Sequence, residues 1–441
     1  MSTSSSFDFD AIVIGGGPAG ATAALVMARE GLRVKVLERT PFPRFHIGES
    51  LLPRNRALFR ELGLEDALAA IPKVEKRGAE FLLGDDSDPA LFWFSMGLIP
   101  GETVIFNVER APFDKMLLDA ARQAGADVSE GVSLRKIHRL EEGRVEISTD
   151  EGDLSARVLV DASGQSTVLG KHLGTRRVLP HLRKVAYYGH FENVRRRPGH
   201  EGGFPVIVMA EEGWFWLIPI DETRTSIGVV LDAEASRQLG IPAERILDWA
   251  ISRCPAMRER MAVASAVTET HVAADFTYRC APYAGPGYFL TGDAALFVDP
   301  IFSTGVCLAM MSGVEAARGI AGILRQGSDP ERIRREYTRM IDESSSAFFR
   351  FIEMYYDHSF RELFLGGSGP LKVHRASLAV LGGNVFPRPV FSLRWRLRLL
   401  EWLVRLNKIV PLGVRRKRFS LLAEAPAATV ETAGELSAGV R

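Results

Sequence analysis

Three features are scarce in this chain of 441 residues, and each scarcity excludes a class of protein. Cysteine occurs only at Cys254, Cys280 and Cys307, too widely spaced for a disulfide framework or a metal site, so no metal is expected. The same usage points to a reducing cytoplasm, with each thiol a core residue rather than a nucleophile. Net charge is only +1, which leaves no basic excess for binding nucleic acid. No uninterrupted apolar run approaches the roughly 18 residues of a membrane span. The polar, serine-rich stretch from Met1 to Phe7 lacks the basic region and apolar core of a secretory signal, and no internal repeat is visible. What remains, 46% hydrophobic and 25% charged, is the composition of a globular protein with room for about two or three packed units.

The chain is organised around Asp10 to Glu38. An apolar, β-branched run from Ala11 to Ile14 reads as a buried strand and leads into Gly15-Gly16-Gly17-Pro18-Ala19-Gly20. Gly15 permits a tight turn, Gly17 lets backbone approach a pyrophosphate, and Gly20 lets the next helix pack closely. A helix follows, with Ala21, Ala24, Leu25 and Ala28 on one face, then a second strand ending at Glu38. A carboxylate about 20 residues past the first glycine is placed to accept the ribose hydroxyls of an adenine dinucleotide whose phosphates lie on the helix N-terminus.

Residues 7–183 form the first part of this cofactor-binding domain, ending in an apolar strand that runs into Asp161-Ala162-Ser163-Gly164. The pattern then changes to alternating strands, and 184–275 is expected to be a separate β-rich substrate domain covering the ligand. The cofactor domain returns over 276–330 with a strand, Gly292-Asp293, and a helix from about Gly305. Residues 331–423 read as a helical region and 424–441 as a disordered tail. An amphipathic helix spans about Ser392 to Val410, and Phe391 to Arg418 holds nine cations against Glu401 alone. Such a stretch suits a solvated basic face, a peripheral contact of 391–418 with an anionic membrane, or an acidic carrier protein.

The glycine motif, Glu38, Arg110, the Asp161 to Gly164 turn and Gly292-Asp293 together resemble the flavoprotein monooxygenase superfamily, over about residues 8 to 325. The resemblance implies an α/β protein with a Rossmann-type FAD-binding domain, an inserted antiparallel β-sheet substrate domain and a helical C-terminal region. It implies an FAD site built from Gly15, Gly17, Ala19, Gly20, Glu38, Arg110, Gly292, Asp293 and Gly305, with Asp293 on the ribityl chain. The loop from Pro41 to Ser50 would run beside the flavin, with Arg44 near phosphate or ring and Ser50 at its end.

Two further stretches narrow the resemblance. Gly213-Trp214-Phe215-Trp216-Leu217-Ile218-Pro219 is similar to the WxWxIP signature of flavin-dependent halogenases, and Phe297 to Gly305 is similar to their FxxPxxSxG signature. Strand alternation puts Trp214 and Trp216 on one face, a bulky wall between flavin and substrate. Pro219 and Phe302 are taken as further wall positions. In that family reduced flavin and oxygen convert halide to hypohalous acid, which passes through a tunnel to a lysine. Lys76, in Lys-x-Gly-x-x-Phe, resembles that lysine, and chloride or bromide would fall to Ser303, Thr304 and Gly305 at a helix N-terminus.

Tryptophan halogenases carry a glutamate just before the signature serine, where this chain has Phe302. The departure favours a phenol or pyrrole, free or carrier-tethered, over free tryptophan. No second GxGxxG unit is visible, so reduced FAD is expected from a separate flavin reductase. An aromatic monooxygenase, a geranylgeranyl-reductase-like lipid reductase and a catalytically silent flavin-binding protein remain alternatives.

Overall fold

The computed structural model describes residues 7–87, 89–179, 182–274, 277–297, 299–366, 373–412 and 415–423. The tail expected to be disordered, 424–441, therefore lies outside the described residues. The strand Ala11–Ile14 sits near the middle of a six-stranded sheet, flanked by Val158–Asp161 on one side and Val34–Glu38 on the other, both parallel to it. Tyr288–Leu290 extends the sheet in parallel beyond Val158–Asp161, and Asp127–Glu130 extends it beyond Val34–Glu38. Ile14 pairs with both Leu37 and Asp161, and Asp161 pairs with Leu290. Four motif turns consequently leave four neighbouring strands at the same level, on the carboxyl edge where open α/β sheets bind ligands.

Two helices close the face over these turns. Pro18–Arg29 crosses Gly305–Gln326 with a contact so tight that a Cβ on Gly313 would lie 2.5 Å from the Ala19 carbonyl oxygen. Gly305–Gln326 is apolar and long enough to span a bilayer by composition, yet most of it is buried inside the fold, so it is a core helix.

The second sheet is mainly antiparallel and has eight strands, in the order Ser265–Ala266, Lys184–Glu192, Arg224–Asp232, Gly213–Pro219, Val206–Met209, Gly78–Leu83 and Ala90–Trp93, with His271–Ala274 also pairing with Lys184–Glu192. A boundary at 184 therefore does not separate the two sheets. Gly78–Leu83 pairs in parallel with Val206–Met209, so the segment before 184 supplies two of the eight strands. The alternation expected for a sheet buried on both sides is plain. Leu82, Val208, Phe215, Leu217 and Val229 pack against the helices Ala243–Arg253 and Pro255–Arg260. Phe81, Ile207, Trp214, Trp216 and Tyr188 face the core shared with the first sheet.

Of the C-terminal helices, Pro330–Tyr355 packs on the first sheet at Ala284–Gly285, His358–Leu365 meets the second through Phe364 against Phe81 and Phe92, and Val373–Leu381 and Phe391–Asn407 pack on each other, the latter also on the first two helices. Phe348, Phe351 and Phe360, from the first two of these helices, are buried in the continuous core.

Candidate active site

The glycine turn is shaped by contacts that admit no side chain. Gly15 has φ +99°, and a Cβ there would stand 2.3 Å from the Ala162 carbonyl oxygen; on Gly20 it would stand 1.9 Å from that of Gly15. Gly17 has no such crowding, its nearest neighbour being Arg44 Nη2 at 3.5 Å, so its open side faces that guanidinium. Glu38 is buried, and its carboxylate accepts from the amides of Gly16 (2.7 Å) and Thr40 (3.0 Å). The Asp161 turn is structural: its carboxylate accepts from the amides of Ser163 and Leu169 and so holds the chain beside Gly15.

Arg110 opens the helix Arg110–Gln123 and forms a two-pronged, buried ion pair with Asp114, at 2.7 and 2.9 Å. Burial works against the Arg110 cation, and Asp114 together with Glu49 and Asp293 more than offsets it. Its Nη1 also donates to the Ile47 carbonyl, fastening the loop that follows Glu38. Arg44, from the same loop, stands 3.6 Å from Asp114 through Nη1, an atom that is buried and without a hydrogen-bond acceptor. Asp293 lies in electrostatic reach of Arg110; burial pushes its carboxyl up to about 7, and Arg110 opposes the rise. His46 donates from Nδ1 to the Ile47 carbonyl at 2.7 Å, and burial followed by Arg110 pushes it down to about 4, so it stays neutral.

Lys76 ends the short strand Lys73–Lys76, which pairs with Ile105–Val108 beside Ser50. It is buried, and Nζ donates to Ser50 Oγ (2.9 Å) and the Leu51 carbonyl (2.8 Å), with the Phe94 ring centroid at 5.3 Å. No carboxylate pairs with it among the described residues, and burial pushes the amine down to about 7. It is therefore divided between ammonium and free amine near neutral pH.

On the second sheet, Trp214 and Trp216 lie on the face toward the first sheet, ring centroids 5.8 Å apart. Trp216 lies across Gly228, where a Cβ would meet the indole at 2.3 Å, and its Nε1 donates to Ser226 Oγ. Opposite Gly228 comes Tyr188 and then His271, which continue an aromatic row toward the exposed Phe45. Pro219 does not belong to this wall. Alternation turns it to the other face, where it lines a small cavity with Glu80 and Arg196. Phe302 is buried against Phe351 and Tyr355 at 4.8 and 5.7 Å. Ser303, at φ +57°, and the buried Thr304 precede the helix that begins at Gly305, where a Cβ would meet open space.

The family model for the FAD binding domain matches residues 8–341. A 1H-pyrrole-2-carbonyl peptidyl-carrier-protein chlorinase of Pseudomonas fluorescens is 30% identical over 379 residues, covering 80% of this chain and 84% of its own. The structure of a myxobacterial chondrochloren halogenase shares 33% identity at TM-score 0.75, covering 90% of this chain and 97% of that one. A flavin-dependent brominase, Bmp2, shares 26% at TM-score 0.80 over 90% of this chain and 99% of its own. The chain belongs to the flavin-dependent halogenases.

The halogenase is thus an FAD-dependent oxidoreductase with halide as co-substrate, and its FAD-binding fold and inserted sheet match the architecture expected from sequence. The residues present fit FAD. A buried guanidinium atom on Arg44 lacks an acceptor beside the open side of Gly17, as a pyrophosphate would require, and Gly305 faces open space at the other end of the site. Sequence reading missed three partners. Asp114 was legible as the residue four positions after Arg110 on a helix. Glu49, wholly buried, bonds His190 at 3.0 Å and the Gly48 amide at 3.1 Å, and no sequence spacing signals that pair. Tyr356 stands in an aromatic-rich stretch, and no spacing ties it to either signature.

The basic C-terminal stretch carries less free charge than its composition suggests. Lys408 pairs with Asp357, Arg415 with Glu362, and Arg418 with Glu211. The apolar face of Phe391–Asn407 is turned inward through Leu393, Leu397, Leu400 and Val404. Outside stand Arg394, Arg398 and Arg405, exposed and without ion pairs among the described residues, alternating with Phe391, Trp402 and Ile409.

Proposed function

We propose that this enzyme chlorinates or brominates an electron-rich aromatic, a phenol or a pyrrole, free or tethered to a carrier protein, with Lys76 as the catalytic residue. The observation that carries the reading is the Lys76 environment: a buried amine with no carboxylate to hold it charged, fixed by Ser50 and the Leu51 carbonyl. A structural lysine would be expected to find a counter-ion or reach solvent. A fixed amine that stays partly neutral can instead bind and orient hypohalous acid by hydrogen bonding, or take up its halogen, which confines a diffusible electrophile beside the substrate.

When bound, reduced FAD with oxygen supplies the oxidant that turns halide into hypohalous acid. The chain's own part begins with Glu38, the glycine turn and Arg44, which hold ribose and pyrophosphate. Arg110, held by Asp114, steadies the loop from Pro41 to Ser50, whose Ser50 hydroxyl in turn accepts from Lys76. Ser303, Thr304 and Gly305 present amides for halide, and the two indoles exclude the substrate from the oxidant's side. Reduced FAD would come from a separate reductase in the cytoplasm. Carrier tethering is supported by the names of two relatives, the pyrrole-carrier chlorinase of Pseudomonas fluorescens and a brominase of Pseudoalteromonas luteoviolacea. The arginine and aromatic stripe on Phe391–Asn407 offers an acidic carrier a surface.

The test supplies chloride or bromide, a flavin reductase with FAD, oxygen, and a panel of phenols and pyrroles, free and carrier-bound. Halide-dependent mass gain is expected in the parent and lost in Lys76→Ala with FAD still bound. Halogenation by Lys76→Ala would remove the lysine from the chemistry.

A further inference from the structure

One side chain from the C-terminal helical region joins the two signature stretches. Tyr356 caps Pro330–Tyr355, and its hydroxyl accepts from Trp214 Nε1 at 3.1 Å and donates to Asp299 Oδ2 at 2.6 Å. Both directions are fixed, because an indole N–H only donates and the phenol has a single proton to give. Asp299 must therefore present an accepting oxygen. Its other oxygen accepts from the Ile301 amide at 3.1 Å and caps the turn Pro300–Phe302, which ends in Ser303 at φ +57°. A non-glycine residue in the left-handed region persists only where its surroundings over-determine it.

The rest of the environment serves the same contact. Asp299 is wholly buried, which raises its carboxyl, while the Tyr356 bond, the Ile301 amide and Lys184 oppose the rise. Lys184, paired with Asp232, holds its ammonium 3.8 Å from the Tyr356 ring centroid. Every polar atom in the chain from indole to loop is thereby matched to a partner.

We propose that Tyr356 is a positioning residue: through Asp299 it holds the Ser303 to Gly305 loop in its halide-binding shape, and through Trp214 it fixes the tryptophan wall to the same point. The assignment rests on the halogenase reading with halide at that loop. Loop shape and indole orientation are then set together, and neither relaxes without the other.

Tyr356→Phe keeps the ring and removes both bonds, leaving Trp214 Nε1 without an acceptor. Losing the buried hydrogen bonds to Asp299 and Trp214 should raise the bromide KM about tenfold or more, with kcat changed less than about threefold. Product is followed as halide-dependent mass gain or by trapping hypohalous acid with a β-diketone. Independently of turnover, the midpoint for bromide quenching of tryptophan emission should rise by the same factor. Trp214→Phe combined with Tyr356→Phe should raise the KM no further than the larger single change, because the three groups act as one chain. If Tyr356→Phe does not fold, Asp299→Asn is read by the same measurements. An unchanged bromide KM and quenching midpoint in a folded variant, or single effects that multiply in the double variant, overturns the proposal. A parent that shows neither halide-dependent product nor bromide quenching refutes the halogenase reading itself.

Discussion

Replacing Lys76 by methionine should make the protein more stable and inactive at the same time. The parent amine is pushed down from 10.5 to about 7 by burial. At about 1.4 kcal/mol per pH unit, the folded state carries its ammonium at a cost of about 5 kcal/mol. The sign follows from proton counting. Below about pH 7 folded and unfolded chains are both protonated and the whole cost is present; between about pH 7 and 10.5 only the unfolded chain holds the extra proton, so parent stability rises with pH. From pH 7 to pH 9 the recovery is about 2 kcal/mol. Methionine keeps the apolar stem and gives up two hydrogen bonds, to Ser50 and Leu51, worth about 1 kcal/mol each. Lys76→Met should therefore exceed the parent by about 2 to 3 kcal/mol at pH 6 to 7 and match it near pH 9. Urea unfolding of both proteins at pH 6, 7 and 9 measures the difference, in which all other titrating groups cancel. A variant no more stable at pH 7 than at pH 9, relative to the parent, refutes the account of a buried amine without a counter-ion.

Other residues give separate readings. Asp114→Ala leaves the buried Arg110 guanidinium unpaired and should cost about 3 to 5 kcal/mol, with FAD released on gel filtration; Asp114→Glu should restore part of both. Gly305→Ala places its methyl in open space, so thermal stability should hold while FAD or halide affinity falls; unaltered binding of both would show that this side of the loop faces no ligand. Reversing Arg394, Arg398 and Arg405 to glutamate should lower kcat/KM for a carrier-borne aromatic about tenfold or more and flatten its salt dependence, leaving free aromatics unaffected. Loss of binding to anionic vesicles in those variants, with carrier turnover intact, would assign the stripe to a membrane instead.

The cofactor half of the site was legible because its determinants are local. A strand, three glycines, a helix and an acid recur within thirty residues, and each glycine answers a backbone contact that the fold then displays at Gly15 and Gly20. Strand alternation likewise placed Trp214 and Trp216 on one face, yet the same alternation excluded Pro219, which was carried along by the motif rather than by the period. What sequence could not show is pairing across long separations. Gly78–Leu83 joins the second sheet through Val206–Met209, more than a hundred residues away, and Glu49, in a loop, meets His190 on the strand Lys184–Glu192 across an equally long separation. The net charge of Phe391 to Arg418 misled for the same reason, since its counter-ions Asp357, Glu362 and Glu211 lie outside the stretch.

Phe302 shows how such distant pairing bears on the substrate. The resemblance places a glutamate here in halogenases that act on tryptophan, but in this chain the position is enclosed by Phe351 and Tyr355 from the C-terminal helix. The one polar group on those rings is the buried, unpartnered Tyr355 hydroxyl, so a carboxylate among them would be desolvated with a single donor at most, which is costly unless it takes up a proton. Two other buried carboxylates near the site are occupied: Asp299 by Tyr356 and Ile301, Glu49 by His190 and Gly48. Phe302 is thus part of a packed unit, and exchanging it alone would not recover a proton acceptor. With no free carboxylate at that position, activation of the ring falls to the substrate's own hydroxyl or ring nitrogen, which is why the proposal rests on phenols and pyrroles.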